Sequence, residues 1–281
     1  MAVLSIQSQV VRGHVGNSAA CFTLQRLGHD VWPVPTVLFS NHPGHGSHRG
    51  HDLSEYQLNE LMQGLADHEG WLEKVNAVLT GYLGNDDQIE AIGDMIDLVK
   101  ERSAEMLYVC DPVVGDAEGL YADENIREGL MEDLLPRADI ATPNRFELQA
   151  LLEQPEPIET VNQAIEAARQ LPCPITIVSS VEDTARFPGQ IQTVLVKENE
   201  AYVVSMGKLD FNPKGAGDLL TALTLSGLLK RRPIEPALAH AHGSLYDILS
   251  ATYRAGAPEL LLIGQQERLV TPFTTVTIGR A

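Results

Sequence analysis

In the run NPKGAGDLLTALTLSGLL, Asp218 follows two glycines that flank Ala216, and a strongly apolar helical pattern begins at once. Gly215 and Gly217 let the backbone turn so that successive N–H groups at the helix start point one way, which makes an anion cradle. A carboxylate there is placed to accept a proton beside a bound phosphate, although capping of the helix explains the same aspartate. No Gly-Lys-Ser/Thr follows a four-residue spacer, so this is not a Walker A loop. A second cluster is CDPVVGDAEGLY, where Asp111 closes an apolar run and Asp116 follows in a glycine-containing loop. Carboxylates at a strand end suit a hydrated Mg2+ that bridges nucleotide phosphates; an aspartate before Pro112 also suits a plain turn. The third cluster is TPNRFEL, with Asn144 after a short apolar run and Glu147 at the opening of a helix. A capping box would use that same pair. All three lie at predicted strand-to-helix junctions, where parallel sheets place their ligand sites.

A different chemistry is suggested by NHPGHGSHRGH, which sets His42, His45, His48 and His51 at intervals of three. Imidazole is a good Zn2+ ligand, and four rings can close a tetrahedral site. A glycine-rich loop does not hold four rings in place, however, and only Asp52 adjoins it as an orienting carboxylate. The histidine loop is therefore read as something other than a metal centre.

Short β-branched runs alternate with stretches of helical period. AVLSI (2–6), AVLTGYL (77–83), MLYVCDPVVG (106–115), ADIATPN (138–144) and PITIVSSV (174–181) read as strands. TVLVKEN (193–199) and AYVVSM (201–206) read as a hairpin turning at Asn199-Glu200, and the Pro-broken VWPVPTVLF (31–39) as an edge strand or an excursion from the sheet. Helices are predicted over 16–28, 53–68 with Ser54 as N-cap, 86–101, 145–152, 216–231 and 236–256. This alternation predicts one α/β domain over 1–281, a mainly parallel sheet with helices on both faces.

The chain's 20 Lys+Arg against 38 Asp+Glu give a formal charge of −18, and the basic residues are not clustered, which argues against a nucleic-acid partner. No apolar run approaches the roughly 20 residues of a membrane span, and the amino terminus lacks the basic region of a secretory signal. Cys21, Cys110 and Cys173 are too scattered for a disulfide framework, so a reducing, cytoplasmic setting is expected.

VLSIQSQVVRGHVGNSAA at the start, VLFSNH (37–42), VLTGYLG (78–84), CDPVVGD (110–116), TPNRFEL (142–148) and GAGD (215–218) occur in the order found in pyridoxal kinases. The chain thus resembles that family of the ribokinase-like superfamily over nearly its whole length. GxGD is shared across the superfamily, whereas the first motif with FSNH is particular to pyridoxal kinases. The resemblance implies a three-layer ribokinase-like sandwich and ATP-dependent phosphorylation of the 5′-hydroxymethyl group of pyridoxal, pyridoxine or pyridoxamine, giving pyridoxal 5′-phosphate in B6 salvage. Carried over, Asp218 is the general base, and Gly215, Ala216 and Gly217 supply N–H groups to the phosphoryl charge. Ser8 bonds the pyridine ring, with Val15, His42, Pro43, Gly44 and Tyr82 around it. Val15 and Tyr82 also read as an ordinary core residue and a half-buried aromatic. Asp111, Asp116, Thr142, Asn144 and Glu147 serve ATP and its cations, Mg2+ (Asp111, Asp116, Glu147) and a monovalent ion such as K+. Ser179, Met206, Gly207, Lys208 and Leu209 lie by the nucleotide, and the segment from Gly115 to Ile126 is a flap over its phosphates. The resemblance also implies a homodimer, to which the 31–39 segment contributes.

Several positions depart from the family pattern. Pro43 replaces a common Thr after FSNH, His45 and His48 replace aromatics, Ala216 replaces Thr or Val, and Val178 replaces a Thr near the nucleotide. These bear on vitamer preference, with His45 and His48 as its expected source. The rival readings are a hydroxymethylpyrimidine kinase on the same fold and a non-catalytic pyridoxal phosphate carrier, which would need no general base.

Overall fold

The computed structural model describes residues 2–211 and 213–281. Its strands are β1 (Ala2–Arg12), β2 (Asp30–Asn41), β3 (Gly50–Asp52), β4 (Val75–Thr80), β5 (Leu107–Cys110), β6 (Gly115–Asp116), β7 (Gly119–Leu120), β8 (Ile140–Ala141), β9 (Ile175–Val181), β10 (Gln190–Lys197), β11 (Glu200–Gly207) and β12 (Ile278–Arg280). The helices are α1 (Asn17–Arg26), α2 (Glu55–Ala66), α3 (Gln88–Arg102), α4 (Glu124–Gly129), α5 (Leu135–Arg137), α6 (Arg145–Leu151), α7 (Val161–Ala168), α8 (Ala216–Leu229), α9 (Ile234–Arg254) and α10 (Gln266–Val270). Ten strands form one sheet in the order β12-β11-β10-β9-β8-β5-β4-β1-β2-β3, and β6 pairs with β7 in a separate hairpin. The run from β9 to β2 is parallel, and antiparallel strands close both edges.

Alternating side chains divide each central strand between two cores. In β4, Val75 and Val78 face the layer containing α2, α3 and α7, while Ala77 and Leu79 face α1, α8 and α9. In β5, Tyr108 and Cys110 go one way and Val109 the other. Burial on both faces explains why these strands read as continuous apolar runs. Helix α8 is apolar on all sides because it lies between the sheet, α1 and α9. A Cβ on its Gly227 would stand 2.7 Å from the Ala237 Cβ, so glycine lets α9 approach.

The expected three-layer architecture is observed, with local differences. The 31–39 run lies within β2, paired to β1, and β3 forms the true edge by pairing with Val37–Phe39. Pro33 and Pro35, two residues apart, turn their nitrogens to the same side of β2. Neither has a partner in β3, so that half of β2 is an edge after all. The β10–β11 turn is one residue earlier than expected: Lys197 pairs with Glu200, and Glu198 takes φ 44°. Among the described residues no helix is long and apolar enough to cross a membrane, and all three cysteines are free.

Candidate active site

The chain leaves β1 toward β2 on one side and reaches β4 on the other, so the sheet's order reverses at β1. A crevice is expected beyond the carboxyl ends of the strands at such a switch point. There the register between β1 and β2 slips, Gln7 pairing with Pro35 but Gln9 with Leu38. Ser8 sits in that bulge, and the buried Asn17 side chain donates to Gln7 O at 3.0 Å and Val34 O at 3.3 Å, bridging the opened strands. Gly16, at φ 51°, packs so closely that a Cβ would meet the Ser8 Oγ at 2.2 Å. Asn17 and Gly16 therefore set the position of Ser8.

Beyond the strand ends lies a cleft of about 850 Å³. It gathers the catalytic, substrate-side and nucleotide-side candidates of the sequence: Ser8, Val15, His42, Pro43, Gly44 and Tyr82 in one part; Asp111, Asp116, Thr142, Asn144, Glu147 and Ser179 in another. Met206 to Leu209 and Gly215 to Asp218 complete its wall. Val178 is buried in the core and does not line it.

Burial and Lys214 lower the pKa of His42, so its ring is neutral near pH 7. Its Nδ1 accepts the Gly44 N–H at 2.9 Å, which puts the ring proton on Nε2. Burial, with Asp52 and Asp123, raises the Tyr82 hydroxyl and keeps it a donor, while Thr36 Oγ1 holds the Tyr82 carbonyl at 2.7 Å. The other loop histidines diverge. His45 Nε2 pairs with Glu259 Oε1 at 2.9 Å, His48 lies 4.9 Å from the Phe39 ring, and His51 in β3 pairs through its backbone with Leu38 of β2. Neither His45 nor His48 lines the cleft; each reaches it through a wall residue, His45 edge-on to the His42 ring at 6.3 Å and His48 through Phe39.

Gly215 is the N-cap of α8 at φ 89°, ψ 0°, and Asp218 is the helix's third residue. Capping is thus done without the Asp218 side chain, and that alternative falls. Burial raises the Asp218 pKa, opposed by backbone hydrogen bonds from Gly16 and from Asp218 itself. A Cβ on Gly215 would stand 1.9 Å from the His14 carbonyl oxygen, whereas one on Gly217 would meet nothing within 4 Å. Gly215 is required by the fold; Gly217 keeps the cleft open.

Asp111 lies just past β5, and burial together with the Asp218 charge pushes its carboxyl up to about 8. Thr221, one turn beyond Asp218 on α8, reaches Asp111 Oδ2 at 3.4 Å and Thr142 Oγ1 at 3.0 Å. Glu147 forms the capping box with Asn144, its Oε2 accepting the Asn144 N–H at 2.7 Å. Burial and then Asp111 raise its pKa well above the carboxylate range. The capping reading and the site reading of this pair are both realised, since the same side chains line the cleft. Asp116 is held differently, by Lys214 Nζ at 2.8 Å. Among the described residues no three His, Cys, Asp or Glu side chains gather as a metal site.

Three residues that shape the site were not singled out in the sequence, Lys214 and Tyr121 in the wall and Thr221 buried behind it. Lys214 is the first. Thr221 is the second, and its signal was the i, i+3 spacing from Asp218. Tyr121 in the flap is the third, its hydroxyl raised by burial and by Glu147, Asp116, Asp218 and Asp111. Its ring lies 6.0 Å from that of Tyr82, so the flap reaches across to the other side of the cleft.

A family profile described as phosphomethylpyrimidine kinase matches residues 40–260. A pyridoxal kinase PdxY of Corynebacterium diphtheriae is 38% identical over 274 residues, 97% of this chain and 96% of its own. One of Vibrio campbellii is 40% identical, covering 96% and 94%. Among solved structures, pyridoxal kinase from Leishmania donovani in complex with ADP and pyridoxamine superposes with a TM-score of 0.92 at 30% identity, over 100% of this chain and 99% of that one. With relatives aligned from end to end and the same architecture, the chain belongs to the pyridoxal kinase family.

Proposed function

We propose that the chain transfers the γ-phosphoryl group of ATP to the 5′-hydroxymethyl group of pyridoxal, and of pyridoxine and pyridoxamine, in B6 salvage. The observation that carries this reading is that one cleft holds both the αL-glycine start of α8 with Asp218 and the wall of Ser8, His42 and Tyr82. Ser8 and the His42 Nε2–H offer hydrogen bonds to a pyridine and its substituents. Val15, Pro43, Gly44 and Tyr82 supply the surface around the ring.

Asp218 takes the hydroxyl proton as the oxygen attacks phosphorus, and the N–H groups of Gly215, Ala216 and Gly217 meet the phosphoryl charge. Positioning and charge stabilisation of this kind supply most of the catalysis in phosphoryl transfer. Met206 to Leu209 and Ser179 border the nucleotide. Burial, with the Asp218 charge beside Asp111 and the Asp111 charge beside Glu147, lifts both carboxyls out of the carboxylate range, a strain that a nearby cation would relieve. Mg2+ takes one or two carboxylates and keeps waters and phosphates as its other ligands. Asp111 and Glu147, with Thr142 and Asn144 beside them, fit such an ion; Asp116 enters the site through Lys214. When bound, Mg2+ neutralises charge on the phosphates. A monovalent cation such as K+, the homodimer and a cytoplasmic setting belong to the same reading. Val11, 91% exposed on β1, and Leu38, 40% exposed on β2, support self-association.

The test is a steady-state assay with Mg-ATP, offering pyridoxal, pyridoxine, pyridoxamine and hydroxymethylpyrimidine separately. Turnover of the B6 vitamers is expected, and turnover confined to the pyrimidine would overturn the assignment.

The glycines of the cradle separate fold from function. Gly217→Ala is expected to keep or raise the melting temperature, since alanine is favoured over glycine in a helix by roughly 0.5–1 kcal/mol. Its methyl group would stand in the open cleft, and kcat/KM for ATP is expected to fall tenfold or more. Gly215→Ala meets the His14 carbonyl and a left-handed φ, so little folded protein is expected. Thermal unfolding and kinetics of the two variants, side by side, check both outcomes.

A further inference from the structure

Seven acids line the cleft (Asp111, Asp116, Glu118, Glu147, Glu182, Asp210 and Asp218) against three Lys or Arg side chains: Arg145, Lys208 and Lys214. Three cations are few for a triphosphate, so each one's position matters. Arg145 and Lys208 share Glu182, at 3.9 and 2.6 Å, toward the Met206–Leu209 end. Lys214 stands alone at the other end, immediately before Gly215. Its Nζ is 2.8 Å from Asp116 Oδ2 and 2.9 Å from Glu118 Oε2, and its Cε passes beside Gly44, 3.3 Å from where a Cβ would be. One lysine thus bonds the flap through its ammonium, passes the substrate-side loop with its Cε, and immediately precedes the anion cradle.

A lysine at the amino end of α8 is unfavourable for the helix, whose dipole disfavours a cation there. The flap carboxylates offset that cost in this state, and a phosphate at the cradle would offset it as well. We propose that Lys214 is the cation that meets the γ-phosphoryl group, leaving Asp116 and Glu118 as ATP enters. This rests on the kinase reading above. In the transfer, the substrate hydroxyl oxygen bonds to the γ-phosphorus while the bridging β–γ oxygen–phosphorus bond breaks. The electron pair of that bond leaves on ADP, and the hydroxyl proton goes to Asp218. Lys214 keeps its proton throughout and stabilises the equatorial oxygens. The same exchange frees the flap hairpin from the base of the cleft, so Lys214 reports γ-phosphate to the flap.

The test compares Lys214→Met and Lys214→Arg with wild type in two measurements. In steady state, Lys214→Met is expected to lower kcat at least 100-fold with the pyridoxal KM within threefold, and Lys214→Arg to recover at least a tenth of wild-type kcat. In calorimetric titration, Lys214→Met is expected to weaken the non-hydrolysable analogue AMP-PNP at least tenfold and ADP less than twofold. A merely structural lysine would weaken both nucleotides alike. Equal weakening, or kcat within threefold of wild type, would overturn the inference. If Lys214→Met does not fold, Lys214→Arg carries the test: retained preference for AMP-PNP over ADP supports it and a lost preference refutes it. Wild-type protein inactive on every B6 vitamer would defeat the kinase reading, while the nucleotide titrations would still judge Lys214.

Discussion

Asp218→Asn is expected to lose about 10²–10⁴-fold in kcat on pyridoxal, the range a positioned general base contributes, with its melting temperature equal to or above that of wild type. The two halves of this outcome have one origin. Asp218 is held where burial disfavours its charged form, and only two backbone hydrogen bonds oppose that. A neutral amide of the same shape relieves the burial penalty and still offers an oxygen as acceptor. It cannot take a proton from an attacking hydroxyl. Gly215 holds the N-cap position, and the amide oxygen can still accept the Asp218 N–H of the first turn, so the helix start is kept. Circular dichroism and thermal unfolding, measured beside the steady-state assay, check the pair. Turnover within tenfold of wild type would remove Asp218 from the base role, and a collapse of stability would make it a structural residue.

The main features of the fold were legible because they are local. Continuous apolar runs mark β1, β4, β5 and β9, since both faces of those strands are covered. Strand-to-helix junctions at Asp111, Asn144 and Gly215 could be placed from turn and cap chemistry alone. The cradle's logic was legible too, but its division of labour was not. Only the close approach of the His14 carbonyl shows that Gly215 serves the backbone and Gly217 the open space. The short strands β3, β6, β7 and β12 carry too few residues for a period to show.

Long-range pairings were also hidden. Lys214 meets a carboxylate 98 residues away, and Thr221 a carboxylate 110 residues away. His45 meets Glu259, from the other end of the chain. Each such pairing depends on where the topology brings two loops together, which no spacing along the chain records. The histidine repeat shows the opposite hazard. Its period of three is regular in sequence, yet the chain turns between the residues: His42 and His45 pack edge-on, His48 lies on Phe39, and His51 is carried away in β3.

The second large effect is expected at Asp111, where function and stability oppose each other. Its folded-state pKa of about 8 lies far above the 3.8 of a free aspartate. A carboxyl raised in this way contributes stability that is full below its unfolded pKa, and that contribution is lost as pH rises through the folded one. At roughly 1.4 kcal/mol per pH unit of difference, wild-type protein without nucleotide forfeits several kcal/mol between about pH 4 and pH 8. Asp111→Asn is neutral throughout and also removes a charge that raises Glu147. The variant's melting temperature is therefore expected to exceed wild type by roughly 5 °C or more at pH 8, with the gap closing toward pH 5. Addition of MgCl2 and ADP should stabilise wild type most at pH 8, where the ionised carboxylate has most to gain from a cation, and should stabilise Asp111→Asn less. Kinase turnover should fall at least tenfold in the variant. Differential scanning fluorimetry across pH 5–8, with and without Mg2+ and ADP, separates the claims: a gap independent of pH would show that Asp111 is not the strained carboxyl, and equal stabilisation of both proteins would take Asp111 out of the cation's surroundings.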